Sequence, residues 1–363
     1  MFTASDYAYM SYALQLAEKG LFTTSPNPRV GCVVVNNGKI VGAGWHERAG
    51  EPHAEINALR EAGDLARGAT VYVTLEPCGH HGRTPPCVEA LIHAGVYRVI
   101  MAMDDPNPRV NGQGKERLQA AGITTQTGLL ADEAEQLNIG FIRRMRYGKP
   151  WIRTKIAASL DGRTALENGK SQWITGESAR RDGHQWRAHS CAILTGVSSV
   201  RLDDPQLTVR HVETSRQPVR VVVDSNLEIS LQARLLQNAD TTWIFTAQAD
   251  RRKIRQLEDI GAHVFVLPDL AGRVDLEAMM MKLAESGVNE LLIEAGSVLN
   301  GALVTAGLID EIIFYFAPSL LGSSAQAMLT LPGITDLSEK YSLQITDIRK
   351  IGTDVRMMAR FVK

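Results

Sequence analysis

The chain is short of cysteine, of aromatic residues and of net charge. Four Cys in 363 residues are too few for a disulfide framework, so a reducing cytoplasm is the expected compartment. A net charge of −1 sets up no global field to recruit nucleic acid or an anionic membrane. Aromatics at 6% leave few rings to stack on exposed bases. No run of about 18 apolar residues occurs, so no membrane span is expected. The N-terminus lacks the basic stretch and apolar core of a secretory signal. Neither an internal repeat nor a low-complexity tract is visible. What is present is 44% hydrophobic residues, enough for the two cores that a chain of this length should hold.

The first half alternates strand and helix patterns. Tyr7, Met10, Ala13, Leu14 and Ala17 recur at helical spacing, and the helix should end near Gly20. Pro26-Asn27-Pro28 bars its continuation. Val30 to Val35 is a buried strand, Asn36-Asn37-Gly38 a hairpin turn, and Lys39 to Trp45 the returning strand. Asn27 stands at the loop end of that first strand, where its amide could meet a ligand or simply form a turn. Further strands are expected at Ala69–Leu75, Val96–Met103 and Thr124–Thr127. Helices are expected at 53–62, from Cys87, at Gly114–Ala121 and at Ala131–Met145. This pattern predicts an α/β/α layered domain. Basic residues from Arg143 to Lys149, broken by Gly148 and Pro150, suggest a boundary that gives domains 1–147 and 148–363. The charge run reads as a solvated helix end rather than a nucleic-acid site.

The chemistry of this half centres on His53, Glu55, Cys78 and Cys87. One imidazole and two thiolates give zinc three ligands and leave the fourth position for water, whose pKa the metal lowers towards neutrality. Glu55, two residues beyond the His, is placed to move protons without ligating. The H-x-E and P-C pattern is that of zinc deaminases acting on nucleobases. The departure is the spacing, because eight residues rather than two separate Cys78 from Cys87. A structural site closed by His80 or His81 is the competing reading. Glu55 argues against it, since a structural zinc has no use for that carboxylate.

Three runs carry a resemblance: Pro26-Asn27-Pro28-Arg29-Val30-Gly31, Ala49-Gly50-Glu51-Pro52-His53-Ala54-Glu55, and Glu76 to Cys87. Residues 1–147 resemble the cytidine-deaminase fold and, within it, the deaminases of the riboflavin pathway, where the long Cys–Cys spacing is normal. The resemblance implies a phosphoribosylamino-diaminopyrimidinone substrate that loses an exocyclic amine, with Glu55 catalytic and His53, Cys78 and Cys87 on the metal.

The second half again reads as α/β with a mainly parallel sheet. Strands are expected at Trp151–Ala158, Cys191–Thr195, Val219–Val223, Trp243–Thr246, Val264–Leu267 and Leu291–Ile293. Helices are expected at Ser178–His189, Arg251–Gly261 and Leu276–Ser286. Ile312–Ala317, Leu343–Ile348 and Asp354–Phe361 suggest strands added at the sheet edge. The turn Glu294-Ala295-Gly296 between strand and helix could bring backbone N–H groups to a pyrophosphate. It lacks G-x-G-x-x-G, so a plain tight turn is the alternative.

Residues 150–363 resemble the dihydrofolate-reductase-like reductases of the same pathway. The resemblance is carried by Lys155 to Arg163, Ser171 to Thr175, Asp203 to Arg210 and the Glu294 turn. It implies that NADPH is met by Ala157, Trp173, Ser199, Asp203, Ser225 and the turn Gly296, Ser297, Val298, Leu299, Asn300, Gly301 and Ala302. The second substrate would be met by Ser171, Arg187, Leu207, Arg210 and Glu294. Arg187 and Arg210 suit a phosphate, or surface ion pairs. Trp173 could cover a nicotinamide or fill core, and Ser225 could meet a 2′-phosphate or end a strand. Lys155 and Glu294 are candidates for proton delivery. The implied whole is a bifunctional enzyme acting on phosphorylated pyrimidines, with zinc and NADPH as cofactors and a second copy pairing through the reductase edge. Two alternatives are a deaminase with a regulatory nucleotide-binding half, and a zinc-stabilised RNA-editing module.

Overall fold

A computed structural model describes residues 1–79, 86–108 and 110–362. Two compact units divide the chain, Met1–Lys149 and Pro150–Lys363.

In the first unit, helix α1 (Ala4–Glu18) opens with a capping box, in which Thr3 accepts from the Asp6 N–H and Asp6 accepts from that of Thr3. Asp6 also accepts from the Tyr72 hydroxyl at 2.7 Å and is buried. The apolar stripe is therefore Met10, Ala13, Leu14, Leu16 and Ala17, while Tyr7 is exposed, against expectation. Strands β1 (Gly31–Asn36) and β2 (Lys39–Trp45) form the expected hairpin. Asn37 and Gly38 both take positive φ, as a two-residue turn matching strand twist requires.

Helix α2 (Ala54–Ala62) follows, then β3 (Thr70–Val73), α3 (Cys87–Ala94), β4 (Arg98–Met101), α4 (Gln113–Ala120) and β5 (Thr124–Thr127). The sheet runs β2-β1-β3-β4-β5, antiparallel through β3 and parallel beyond it. The expected single helix over 131–145 is two, α5 (Ala131–Leu137) and α6 (Ile139–Tyr147), broken at Asn138. Its buried amide accepts from the Arg29 N–H at 2.8 Å and donates to the Arg29 carbonyl at 2.9 Å. A side chain bonding backbone in this way competes with helix continuity.

In the second unit, one sheet runs β11-β10-β9-β8-β12-β6-β13-β16-β15. Its parallel part comprises β6 (Trp151–Ser159), β8 (Ala192–Gly196), β9 (Val219–Val223), β10 (Thr242–Thr246), β11 (His263–Val266), β12 (Glu290–Ile293) and β13 (Glu311–Ala317). Beyond β13 the sheet continues antiparallel with β16 (Asp354–Phe361) and ends at the edge strand β15 (Leu343–Ile351). Strand β13 was expected at that edge but pairs in parallel with β6, its buried Ile312, Ile313 and Phe314 belonging to the interior. A short hairpin outside this sheet pairs β7 (Arg163–Ala165) with β14 (Gln326–Ala327). Helices α7 (Glu177–His189), α8 (Val197–Asp203), α9 (Arg251–Asp259), α10 (Leu276–Glu285) and α11 (Ser297–Thr305) complete the unit. Among the described residues, no helix is long and apolar enough to cross a membrane.

Strand β8 leads to β9 on one side, while β12 arrives on its other side. Such a reversal opens a crevice at the strands' carboxyl ends, where ligands bind in sheets of this kind.

Candidate active sites

Three helix and strand ends bring the first site together. His53 is the N-cap of α2 and Glu55 lies in its first turn. Cys87 is the first residue of α3, after Pro86, and Cys78 lies in the segment beyond β3. The Cys87 N–H donates to the Cys78 sulfur at 3.3 Å, docking that helix end on the loop.

The ligand atoms of His53, Cys78 and Cys87 lie within 4.8 Å of one another. His53 Nδ1 stands 3.2 Å from the Cys87 sulfur and 3.7 Å from that of Cys78. A tetrahedral zinc holding one N and one S ligand would separate them by about 3.5 Å, from bond lengths near 2.0 and 2.3 Å. The donor set therefore fits zinc, and no fourth ligand joins the cluster among the described residues. His80 and His81, the imagined closing ligands, fall outside those residues.

Electrostatics favour a metal-ready cluster. The Cys78 thiol is pulled down to about 4 by the hydrogen bond from Cys87 and, against burial, by His53. The same sharing, with burial, raises Cys87. Burial also raises Glu55, although His53 beside it opposes the shift. Glu55 is 3% exposed and within hydrogen-bonding reach of Cys87.

A cavity of about 490 Å³ opens over His53, Glu55 and Cys78. Its walls carry Asn27, His46, Asp105, Asn107, Phe141 and Arg144. Asn27 is more than a turn former, because its amide nitrogen stands 3.1 Å from His46 Nε2. Sequence reasoning passed over His46, Asp105 and Asn107. Only their positions at the strand and loop ends flanking the motif could have pointed to them.

The second site lies at the carboxyl ends of β6, β8 and β12, in a cavity of about 860 Å³. Glu294 follows β12 and is gripped by Arg187 from α7, with Nε at 2.6 Å from Oε1 and Nη2 at 2.9 Å from Oε2. Lys155 Nζ, from β6, stands 3.4 Å from Oε2. Burial alone would raise Glu294, but Arg187 and Lys155 outweigh it and hold the carboxyl far below its usual range. The third donor of Arg187 reaches the Thr208 carbonyl at 3.0 Å. Arg187 is thus committed to protein partners, whereas Arg210 is exposed and its guanidinium meets Gln206 and Thr208 at the longer distances of 3.4 and 3.2 Å. Arg234, unforeseen from sequence, lines the same cavity.

His184 Nδ1 accepts from the Arg210 N–H at 3.0 Å. Burial, then Arg187 and Arg210, push this imidazole down to about 4, so it is neutral near pH 7.

Of the residues expected around cofactor and substrate, Ala157, Ser171, Trp173, Arg187, Ser199, Asp203, Leu207, Arg210, Glu294, Gly296, Ser297 and Asn300 line this cavity. Ser225, Val298, Leu299, Gly301 and Ala302 are not among its lining residues. The Ser225 hydroxyl accepts from the Val274 N–H at 3.1 Å. Val298 faces solvent, Leu299 packs against the core, and Gly301 abuts the Thr330 backbone, where a Cβ would come within 1.9 Å of the carbonyl oxygen. Trp173 is 69% exposed, with Arg180 over its ring at 4.6 Å, and so does not fill core.

Known proteins place these two sites in one family. Residues 3–103 match the cytidine and deoxycytidylate deaminase zinc-binding region, and residues 150–357 match the RibD C-terminal domain. The riboflavin biosynthesis protein RibD of Escherichia coli strain K12 is 51% identical over 362 residues, covering 96% of this chain and 98% of that protein. The chain belongs to the RibD family. RibD of Haemophilus influenzae is 44% identical, over 98% of this chain and 97% of its own. A solved structure of Acinetobacter baumannii RibD superposes with a TM-score of 0.93 at 41% identity, covering 99% of both chains. A Thermotoga maritima protein titled diaminohydroxyphosphoribosylaminopyrimidine deaminase/5-amino-6-(5-phosphoribosylamino)uracil reductase gives 0.87 at 31% identity, again over 99% of both. The RibD match to the second unit leaves the regulatory-domain alternative without support, and the zinc-region match places the first unit among the deaminases.

Proposed function

We propose that the chain catalyses two consecutive steps of riboflavin biosynthesis, one in each unit. The first is deamination of 2,5-diamino-6-(5-phosphoribosylamino)pyrimidin-4(3H)-one. The second reduces the ribosyl group of the resulting aminouracil to ribityl. The observation that carries this reading is the three-ligand cluster with a buried glutamate beneath one cavity, together with a separate cavity at a sheet switch point.

In the first unit, His53, Cys78 and Cys87 would hold zinc, which supplies the Lewis acidity that makes a water nucleophilic at neutral pH. Glu55 takes one proton from the attacking water and gives it to the ring nitrogen, then takes the second from the hydroxyl now on the ring carbon and gives it to the amine, which leaves as ammonia. Its burial suits this work, since a raised pKa makes its carboxylate a better proton acceptor than a solvent-exposed one. Asn27, His46, Asp105 and Asn107 surround the pyrimidine.

In the second unit, Gly296 and Ser297 at the start of α11, with Ser199, Ala157 and Trp173, would hold NADPH, which supplies the hydride. Glu294, kept ionised, can only accept hydrogen bonds from substrate, and Lys155 beside it is the donor. Arg210 and Arg234, on the wall of the second cavity, would meet the sugar phosphate there, and among the described residues Arg144 lines the first cavity. Balanced charge and few aromatics favour small molecules over nucleic acid, in the cytoplasm. Exposed Ile345 and Ile348 on the open strand β15 mark where a second copy would pair.

The test supplies the diaminopyrimidine phosphate with and without NADPH. Ammonia release should need zinc but not NADPH, and a chelator should abolish it. NADPH oxidation should need prior deamination and should persist after chelation when the aminouracil is supplied.

A further inference from the structure

Glu76 stands two residues before Cys78 and is 3% exposed. The bonds of its buried carboxylate are to backbone. Oε2 accepts from the N–H groups of Asp105, at 3.1 Å, and Gly112, at 3.0 Å, while Oε1 accepts from that of Lys115 at 3.2 Å. The Glu76 N–H donates in turn to the Met103 carbonyl at 3.0 Å.

This pattern is a helix cap supplied from a distance. Gly112 is the N-cap of α4 and has no side chain to close its own helix. Glu76 meets those open N–H groups with a negative charge, as the start of a helix favours. The contact is close, because a Cβ at Gly114 would lie 2.0 Å from the Pro77 carbonyl oxygen. One carboxylate thus ties three things together: the backbone entering Cys78, the first turn of α4, and Asp105. Asp105 and Asn107 are cavity wall, and the Asn107 N–H donates to the Asp105 carboxylate at 2.8 Å. The wall therefore inherits its place from Glu76.

We propose that Glu76 is a positioning residue for the deamination, fixing the substrate-facing wall at Asp105 and Asn107 relative to the Cys78 side of the site. The proposal rests on the deaminase reading above. It assigns Glu76 an effect on how the pyrimidine is held, separate from holding the metal.

The experiment uses the full chain with Glu76→Gln. A Gln side chain keeps one acceptor oxygen and turns an NH₂ group towards backbone donors. The specificity constant for ammonia release should fall on the order of ten- to a hundredfold, mainly through KM. Zinc per chain and NADPH oxidation with the aminouracil should match wild type. Gly114→Ala, which wedges α4 away from Pro77, should raise KM in the same way, and it decides the matter if Glu76→Gln leaves the first unit unfolded. An unchanged KM in both variants would overturn the proposal. So would a loss of activity that tracks loss of zinc while KM on the loaded fraction stays normal. A wild-type chain that releases no ammonia would instead remove the deaminase reading.

Discussion

Each cavity has a glutamate facing its chemistry, Glu55 in the first unit and Glu294 in the second, and the surroundings drive the two in opposite directions. Glu55 has burial working against its charge, and His53 and the hydrogen bonds it accepts do not outweigh it, so its carboxyl is raised. Burial would raise Glu294 as well, although 12% of its side chain stays exposed, but the Arg187 fork and Lys155 hold it ionised. The difference separates two uses of one residue type. A carboxyl whose charge is disfavoured by burial takes up a proton more readily, whereas one locked in an ion pair gives a fixed acceptor and a fixed shape. Both stand at the end of a regular element, so their neighbours, not their position in the fold, set the role.

The comparison can be broken by neutralising each glutamate in turn. Glu55→Gln should lower the deaminase kcat by roughly 10²- to 10⁴-fold, with zinc content and reduction untouched. Ammonia release at the wild-type rate would end its role as proton carrier. Glu294→Gln should act on stability first, because it strands Arg187 and Lys155. The second unit should lose about 3 kcal/mol, or roughly 6–12 °C in its melting transition, while ammonia release is unaffected. A variant that melts normally but has lost all reduction would move Glu294 into the proton-handling class.

Smaller changes sharpen the contrast. Arg210→Ala should raise KM for the phosphorylated aminouracil about tenfold and leave the dephosphorylated compound unaffected. Equal losses on both compounds would show that the side chain serves something other than phosphate. The smallest effect is on pH dependence. His184 has an ordinary pKa of 6.5 and is held at about 4 in the fold, so its neutral form contributes stability that is lost as pH falls from 6.5 towards 4. Glu294, depressed below its ordinary 4.5, adds a loss only below that value. Between pH 7 and 4.5 the second unit's melting temperature should therefore drop by a few degrees more in wild type than in His184→Gln. Parallel curves would mean that His184 contributes nothing.

The two sites also differ in how far the chain's letters reveal them. Metal ligation restricts residue types so tightly that His53, Cys78 and Cys87, with Glu55 beside the His, stood out despite the unusual spacing, and the structure gathers the three ligands at one point with Glu55 in the cavity above. The hairpin at Asn37-Gly38 was legible for a similar reason, since few residues accept its backbone angles. Arg187 and Glu294 are 107 residues apart, and no local period records that they meet. The same holds for Glu76 with Asp105 and Gly112. Strand β13 was placed at the edge because a late β run carries no mark of its neighbours, while its direction depends on β6, far back in the chain. Asn138 was invisible as a helix break because its amide's partner, Arg29, lies 109 residues away.

That amide has a practical consequence for cutting the chain. The deaminase-type match stops at residue 103, yet Asn138 clasps both backbone groups of Arg29, and Arg144 donates to the Pro26 carbonyl at 3.2 Å. A fragment trimmed to the matched segment would keep every metal ligand and lose the brace behind the Asn27 loop. An excised catalyst has to run through α6, and a shorter one should take up zinc while binding its pyrimidine poorly.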